Sequence, residues 1–306
     1  MLTKLLIPLR VLVNLSWAIA TTLIIGAGVV FVGIFKLLLP VKSAQVFFSY
    51  LANGLFRLWA YAMSLLFQLA QPMQWHIEGD LQLHPKGWYL ILANHRSWVD
   101  VFVLMHLARR NMPMPRFFLK RQLLWIPIVG WGCWVLDMPF MRRYSKETLL
   151  KKPHLAGRDI ETTARSCEKF RYIPTTVVNF CEGTRFTPAK QQLKKSPYRY
   201  LLPPKAGGTA FSLQTMGRQF EAILDITIAY PGKTDRPVLW HLLSGQLRNV
   251  YVDVRTLPIT EDLIGDYNND DAFKKHFQKW LNLRWHEKDA TLERLRAKIN
   301  ASDQLR

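Results

Sequence analysis

The stretch WYLILANHRSWVD, residues 88–100, decides how the rest of the chain is read. Its first seven residues, WYLILAN (88–94), form a short apolar run closed by a turn-former, the pattern of a buried strand. A helical stretch follows over 98–110. Working outward, TTVVNF (175–180) is β-branched and reads as a second strand. AILDITIAY (222–230) reads as a third, stopped by Pro231-Gly232. NVYVDVRTLPI (249–259) alternates apolar and polar residues, which predicts a half-exposed strand. Apolar residues at helical spacing among many charges fill 273–299. Strands interleaved with helices from Trp75 onward give an α/β domain, with no internal repeat.

Two of these strands end in turns that carry chemistry. After the first come His95 and, five residues later, Asp100. A general base for an alcohol needs an imidazole and a carboxylate that orients it and stabilises the imidazolium. Residues five apart on one helix are rotated by about 140° and do not meet. The pair therefore requires His95 in the turn and Asp100 in the first turns of the helix, with Asn94 or Ser97 as the expected cap. Spacing alone is weak: His154 and Asp159 share it (HLAGRD), but in a polar segment with no preceding strand, and they are read as a surface coincidence. The second turn is Glu182-Gly183-Thr184-Arg185, directly after TTVVNF. Gly183 lets backbone approach a ligand, Thr184 offers a hydroxyl, and Arg185 offers a planar fork matched to phosphate oxygens. The same tetrapeptide also suits an ordinary turn with a surface Glu–Arg pair.

The N-terminal quarter has another character. Val11 to Phe35 is a run of 25 residues without a formal charge. At about 1.5 Å per residue this helix reaches about 37 Å, enough for a hydrocarbon core of about 30 Å. Ala18 and Ala20 weakly resemble a signal-peptidase site, but the apolar run continues past them, so an uncleaved anchor is expected. A second apolar stretch, Val46 to Trp75, is interrupted by Arg57; it is either a second pass or an interfacial helix. Lys4 and Arg10 before the first run balance Lys36 and Lys42 after it, leaving orientation unset by charge; a hairpin with both termini cytoplasmic is the expectation. A third apolar patch, QLLWIPIVGWGCWVL (122–136), carries Trp125, Trp131 and Trp134. It is either a headgroup-level contact or a buried core segment, and it lies between Lys120–Arg121 and Arg142–Arg143.

Composition narrows the partners. The 306 residues carry a formal net charge of +19 while 49% are hydrophobic. A disordered basic tail would lack the apolar residues, and a polytopic transporter would need more of them. Residues 91–210 hold 21 basic and 7 acidic side chains, a net +14, so the positive field surrounds both loaded turns. Such a field draws anionic lipid, phosphorylated substrate or nucleic acid, and the chain carries no nucleic-acid module signature. Cys133, Cys167 and Cys181 have neither disulfide-framework nor metal-ligand spacing.

Taken together and in order, NHRSWVD (94–100) and EGTR (182–185) resemble the two hallmark motifs of the glycerolipid acyltransferases, the family that includes 1-acylglycerol-3-phosphate acyltransferase. Phe140-Met141-Arg142-Arg143 is similar to that family's second motif, and Leu201-Leu202-Pro203-Pro204-Lys205 with Gly207-Gly208 to the stretch after EGTR. DITIAYP (225–231) resembles the lysocardiolipin-acyltransferase-like branch. One departure stands out: Asp137 occupies the place where the second motif usually begins with Gly.

The resemblance implies a single α/β acyltransferase domain over 76–306, a mixed sheet flanked by helices, preceded by a membrane-anchoring helical region over 1–75. It implies that His95 takes the proton of a lysolipid hydroxyl, sn-2 in 1-acylglycerol-3-phosphate, while Asp100 holds the imidazole. Arg143, Glu182, Gly183, Thr184 and Arg185, with Lys120, would seat the glycerol phosphate. It implies no cofactor and no metal, with acyl-CoA or acyl-carrier protein as donor and a larger lysophospholipid as the alternative acceptor. The expected location is a membrane, the bacterial inner membrane with the catalytic domain on the cytoplasmic side, against anionic lipid and without nucleic acid. Two other readings stay open: a thioester hydrolase with Cys181 as nucleophile, and a non-catalytic basic protein recruited to anionic membrane or nucleic acid.

Overall fold

Strand β2 (Tyr89–Ala93) lies at the middle of the sheet and is buried at every position. The computed structural model describes residues 7–70, 73–79, 83–141, 169–231 and 236–304. β2 pairs in parallel with β6 (Thr176–Phe180) on one side and β7 (Ala222–Ala229) on the other. β3 (Pro115–Phe117) adds in parallel beyond β6. β8 (Asn249–Leu257) runs antiparallel to β7, and β1 (Gln74–Glu78) lies parallel to β8. The result is a six-stranded mixed sheet in the order β1-β8-β7-β2-β6-β3.

The continuous apolar character of β2 follows from cover on both faces. Tyr89, Ile91 and Ala93 join one core with Val103, Leu104 and Ala108 of the helix Val99–Asn111. Leu90 and Leu92 join a second core with Ala210 and Leu213 of the helix Ala206–Met216 and with Phe277, Leu281 and Trp285 of the 34-residue helix Asp271–Gln304. β8 departs from the half-exposed strand its alternation predicts: it is buried from Asn249 to Val254. Its polar positions lie under the long C-terminal helix, where Arg294 pairs with Asp253.

The N-terminal apolar runs form two helices, α1 (Ile7–Leu38) and α2 (Lys42–Ala70). They lie antiparallel: Trp59 Nε1 donates to Thr22 Oγ1 at 3.0 Å near mid-helix, and Phe35 stacks on Phe48 with centroids 5.8 Å apart near the turn. Among the described residues α1 is the helix long and apolar enough to cross a membrane, and only 17% of its most apolar window is buried, as suits an anchor. Arg57, the charge that interrupts the second run, donates to the carbonyl of Met112 at 3.3 Å, just past the helix Val99–Asn111. The expected boundary at residue 75 falls inside β1. Val29, Val32, Ala52, Phe56 and Ala60 of the helix pair belong to the same core as Ile91 and Val103. Following α1 and α2, the helices are numbered α3 (Val99–Asn111), α4 (Val129–Val135), α5 (Pro188–Leu193), α6 (Ala206–Met216), α7 (Val238–Leu243) and α8 (Asp271–Gln304).

Candidate active site

Register brings the two loaded turns together. Ala93 of β2 lies opposite Phe180 of β6, so the chain leaves both parallel strands side by side at their carboxyl ends. That end is where open α/β sheets hold ligands. The two turns then clasp each other: the His95 amide donates to Glu182 Oε1 at 2.9 Å, and the Phe186 amide donates to the His95 carbonyl at 2.7 Å. Asn94 pins the first turn to β7, accepting from the Ile228 amide at 2.8 Å and donating to the Ile228 carbonyl at 2.9 Å. This strand-mimicking bridge replaces the helix cap expected of Asn94. Ser97 Oγ instead accepts from the Val99 amide at 3.2 Å.

His95 sits in the turn and Asp100 is the second residue of α3, the arrangement the spacing requires. Asp100 is fully buried, and its Oδ2 accepts from His95 Nδ1 at 2.8 Å and from the amides of Arg96 at 2.7 Å and Ser97 at 2.8 Å. Its Oδ1 accepts from the Tyr230 hydroxyl at 2.7 Å. Burial first, and then the nearby Asp100 charge, push the Tyr230 phenol well above its usual range, which keeps it a donor. A carboxylate held by four donors fixes the proton of His95 on Nδ1, leaving Nε2 as the basic nitrogen. The imidazole stacks on Phe180, centroids 4.2 Å apart at 19°. Tyr230 lies 130 residues from Asp100 in sequence, and nothing local marked it as a partner.

In the second turn, Gly183 adopts φ +67°, the left-handed conformation that glycine accepts without strain. Glu182 does not face outward to a substrate. It is fully buried, and its second oxygen accepts from the Leu202 amide at 2.9 Å, so both oxygens are occupied by backbone. Desolvation raises its carboxyl to about 7 against the two amide hydrogen bonds and Arg96, which lower it. Glu182 is thus a positioning residue that locks the His95 turn to the segment at Leu202. Thr184 Oγ1 accepts from Lys190 Nζ at 2.9 Å, and the same ammonium donates to the Arg185 carbonyl at 3.0 Å. Lys190 is held in α5, whose N-cap Thr187 accepts from the Lys190 amide. Arg185 is exposed, its guanidinium 5.2 Å from the centroid of the exposed Trp98 ring.

A family model described as Acyltransferase matches residues 74–230, more than half of the chain and both turns with it. The chain belongs to the acyltransferase family. It is 25% identical over 221 residues to 1-acyl-sn-glycerol-3-phosphate acyltransferase gamma of Mus musculus, covering 68% of this chain and 54% of that protein. Against 1-acyl-sn-glycerol-3-phosphate acyltransferase 2 of Brassica oleracea the identity is 27% over 203 residues, covering 61% and 49%. Against 2-acyl-1-lysophosphatidylinositol acyltransferase of Saccharomyces cerevisiae it is 26% over 248 residues, covering 69% and 62%. The chain therefore spans about half to three-fifths of the length of these relatives. Its fold is that of the solved 1-acyl-sn-glycerophosphate acyltransferase of Thermotoga maritima, with a TM-score of 0.53, 16% identity, and coverage of 96% of this chain and 97% of that one.

The remaining residues singled out in the sequence are placed as follows. Lys120 is exposed at the end of β4 (Leu119–Lys120), which pairs in parallel with β5 (Phe140–Met141), so it adjoins the second motif. Phe117, three residues before Lys120, stacks on Phe180 at 6.2 Å, linking that edge to the His95 ring. Arg143, His154 and Asp159 lie outside the described residues. Asp137, which stands where glycine is usual in the motif, has φ +56°, the conformation glycine takes readily and Asp tolerates. Its carboxylate pairs with Lys36 of α1 at 2.6 Å. Cys181 is buried, with desolvation pushing its thiol up to about 12, and its Sγ contacts Thr209 Oγ1 at 3.6 Å. A thiol so placed is neither ionised nor accessible, which removes it as the nucleophile of a hydrolase.

Proposed function

We propose that the chain is a membrane-bound O-acyltransferase that moves a fatty acyl group from an acyl thioester to the sn-2 hydroxyl of 1-acylglycerol-3-phosphate, giving phosphatidic acid. The observation that carries this reading is the His95–Asp100 pair, with Nδ1 committed to a buried carboxylate and Nε2 left for an acceptor. The hydroxyl proton passes to Nε2 as the oxygen bonds to the thioester carbonyl carbon, and Asp100 stabilises the imidazolium. When the tetrahedral adduct collapses, the carbon–sulfur bond breaks and His95 returns the proton to the departing thiolate. An ester and a free thiol result. General-base help of this kind contributes about 10²–10⁴ in rate.

Arg185 supplies an exposed guanidinium for the phosphate, on a turn that Gly183 and Lys190 hold in shape. Lys120, and Arg143 as the resemblance implies, would add positive charge for the acceptor phosphate. The donor is acyl-CoA or acyl-carrier protein, with no bound cofactor. The names of the mouse and Brassica relatives support the acceptor. A larger lysophospholipid is the second reading, favoured by the name of the yeast relative. The place of action is the bacterial inner membrane, with the catalytic domain on the cytoplasmic side, where the acceptor reaches the site from the bilayer that holds α1.

The test is acyl transfer from radiolabelled acyl-CoA to a panel of lysophosphatidic acid, lysophosphatidylinositol and lysocardiolipin. His95→Ala is expected to abolish product with every acceptor while the protein still fractionates with membranes. An active His95→Ala variant refutes the assignment, and preference for a larger acceptor selects the second reading.

A further inference from the structure

The chain from Arg121 to Val135 runs along α1 and turns its tryptophans away from the protein. A 3₁₀ turn (Arg121–Trp125) leads through Pro127 and Ile128 into α4. The buried side of α4 is small: Gly130, Gly132 and Val135. It packs on α1 at matching small residues. A Cβ on Gly33 would sit 2.2 Å from Val135 Cγ2, and one on Gly26 would sit 2.6 Å from Ile128 Cγ2. Only glycine lets α1 approach so closely.

The opposite side of the segment is large and uncovered. Trp125 is 78% exposed, Trp131 49%, Trp134 44% and Ile126 48%. Ile128, a β-branched residue, is held at φ 63° and ψ −56° in a tight turn closed by the Val129 amide on the Pro127 carbonyl at 2.6 Å. That backbone is costly for isoleucine and persists where surrounding structure imposes it. Here it inserts Ile128 toward Gly26 of α1 and aims α4 along the same helix.

We infer that this ledge is the catalytic domain's own contact with the membrane, lying at headgroup depth beside α1 on a bilayer rich in anionic phospholipid. Three observations on the surface select that occupant. The ledge packs directly on α1, the helix long and apolar enough to span, whose Leu37 and Leu38 at the same end are likewise exposed. Its exposed large residues are predominantly tryptophan, the side chain that prefers the boundary between hydrocarbon and headgroups. Exposed Lys120 and Arg121 open it, and Lys42, at the start of α2, lies 3.7 Å over the ring of exposed Tyr172. Cations beside an apolar ledge suit a negatively charged lipid surface. A second contact point beside α1 fixes which way the sheet end of the domain faces.

The test reads lipid contact directly and does not depend on acyl transfer. In a chain whose native cysteines are replaced by serine, Trp125→Cys carries an environment-sensitive nitrobenzoxadiazole label. Ala297→Cys, exposed on α8 across the sheet, carries it as the control. Both proteins are reconstituted in vesicles of phosphatidylethanolamine and phosphatidylglycerol with or without spin-labelled acyl chains. The label at 125 is expected to emit to the blue of the label at 297 and to be quenched several-fold more by the spin-labelled lipid. Trp131→Ser with Trp134→Ser is expected to reduce that quenching. Equal, water-like emission at both positions overturns the inference. So does a blue shift at 125 without lipid quenching, which would mean that protein, such as a second copy of the chain, covers the ledge.

Discussion

Glu182→Gln isolates the residue that couples the two loaded turns. In the folded chain the carboxyl titrates near 7 rather than its ordinary 4.5, because burial penalises its charge. The folded state therefore holds the Glu182 proton more tightly than the unfolded chain does. The stability belonging to the protonated group is complete below pH 4.5 and is lost as pH rises through 7, to a total of roughly 3 kcal/mol. Glutamine has no such loss. It carries a fixed penalty instead, because its NH₂ must face one of two amide donors, His95 or Leu202, at a cost of about 1–3 kcal/mol. Chemical denaturation of the detergent-solubilised protein from pH 4.5 to 8 gives both terms. The variant should be the less stable protein at pH 4.5, and the gap should narrow by roughly 3 kcal/mol by pH 8. A gap that stays constant within about 1 kcal/mol across that range would refute the assignment of a buried, proton-holding Glu182.

Two further substitutions test the support of the site. Tyr230→Phe removes the donor on Asp100 Oδ1 in a fully buried setting, a loss of about 1.5–3 kcal/mol for a bond to a charged group. Turnover should fall roughly 10- to 100-fold with KM for the acceptor little changed, and steady-state rates that match the parent would remove Tyr230 from the constellation. Lys288, 1% exposed, pairs with Asp225 and donates to the Ile226 carbonyl at 2.7 Å. Lys288→Met strands that carboxylate and should cost about 3–5 kcal/mol in denaturation midpoints, most of it recovered when Asp225→Leu is added; a single variant within about 1 kcal/mol of the parent contradicts this.

The fold was legible where side-chain pattern and burial agree. β2, β6 and β7 are apolar runs because both faces of the sheet are covered, and each lies within a residue or two of the range its sequence predicts. β3 has three residues, too few for any periodicity, and β1 hides in the apolar continuation of α2. β8 misleads because its polar positions are buried beneath ion pairs of α8 instead of facing water. The site was legible in its residue types and less so in their directions. His95 and Asp100 meet as their spacing demands, but Glu182 turns inward, since its partners are amides that a sequence does not display. Tyr230 reads as the end of an apolar strand, and only the placement of β7 beside β2 brings its hydroxyl to Asp100. Lys190 is one lysine among many until α5 folds it back onto Thr184.

The sharing of one hydrophobic core between the α1–α2 pair and the sheet has a practical edge. Phe56 and Ala60 are buried in the same cluster as Ile91, Val103 and Leu104. Deleting the pair to obtain a water-soluble enzyme would strip the cover from that face of the sheet and present a broad sticky surface to solvent. During synthesis the pair emerges before the strands that complete its packing. Folding then couples the two parts: the helix pair offers Phe56 and Ala60 as a template, and β2 and α3 condense onto it.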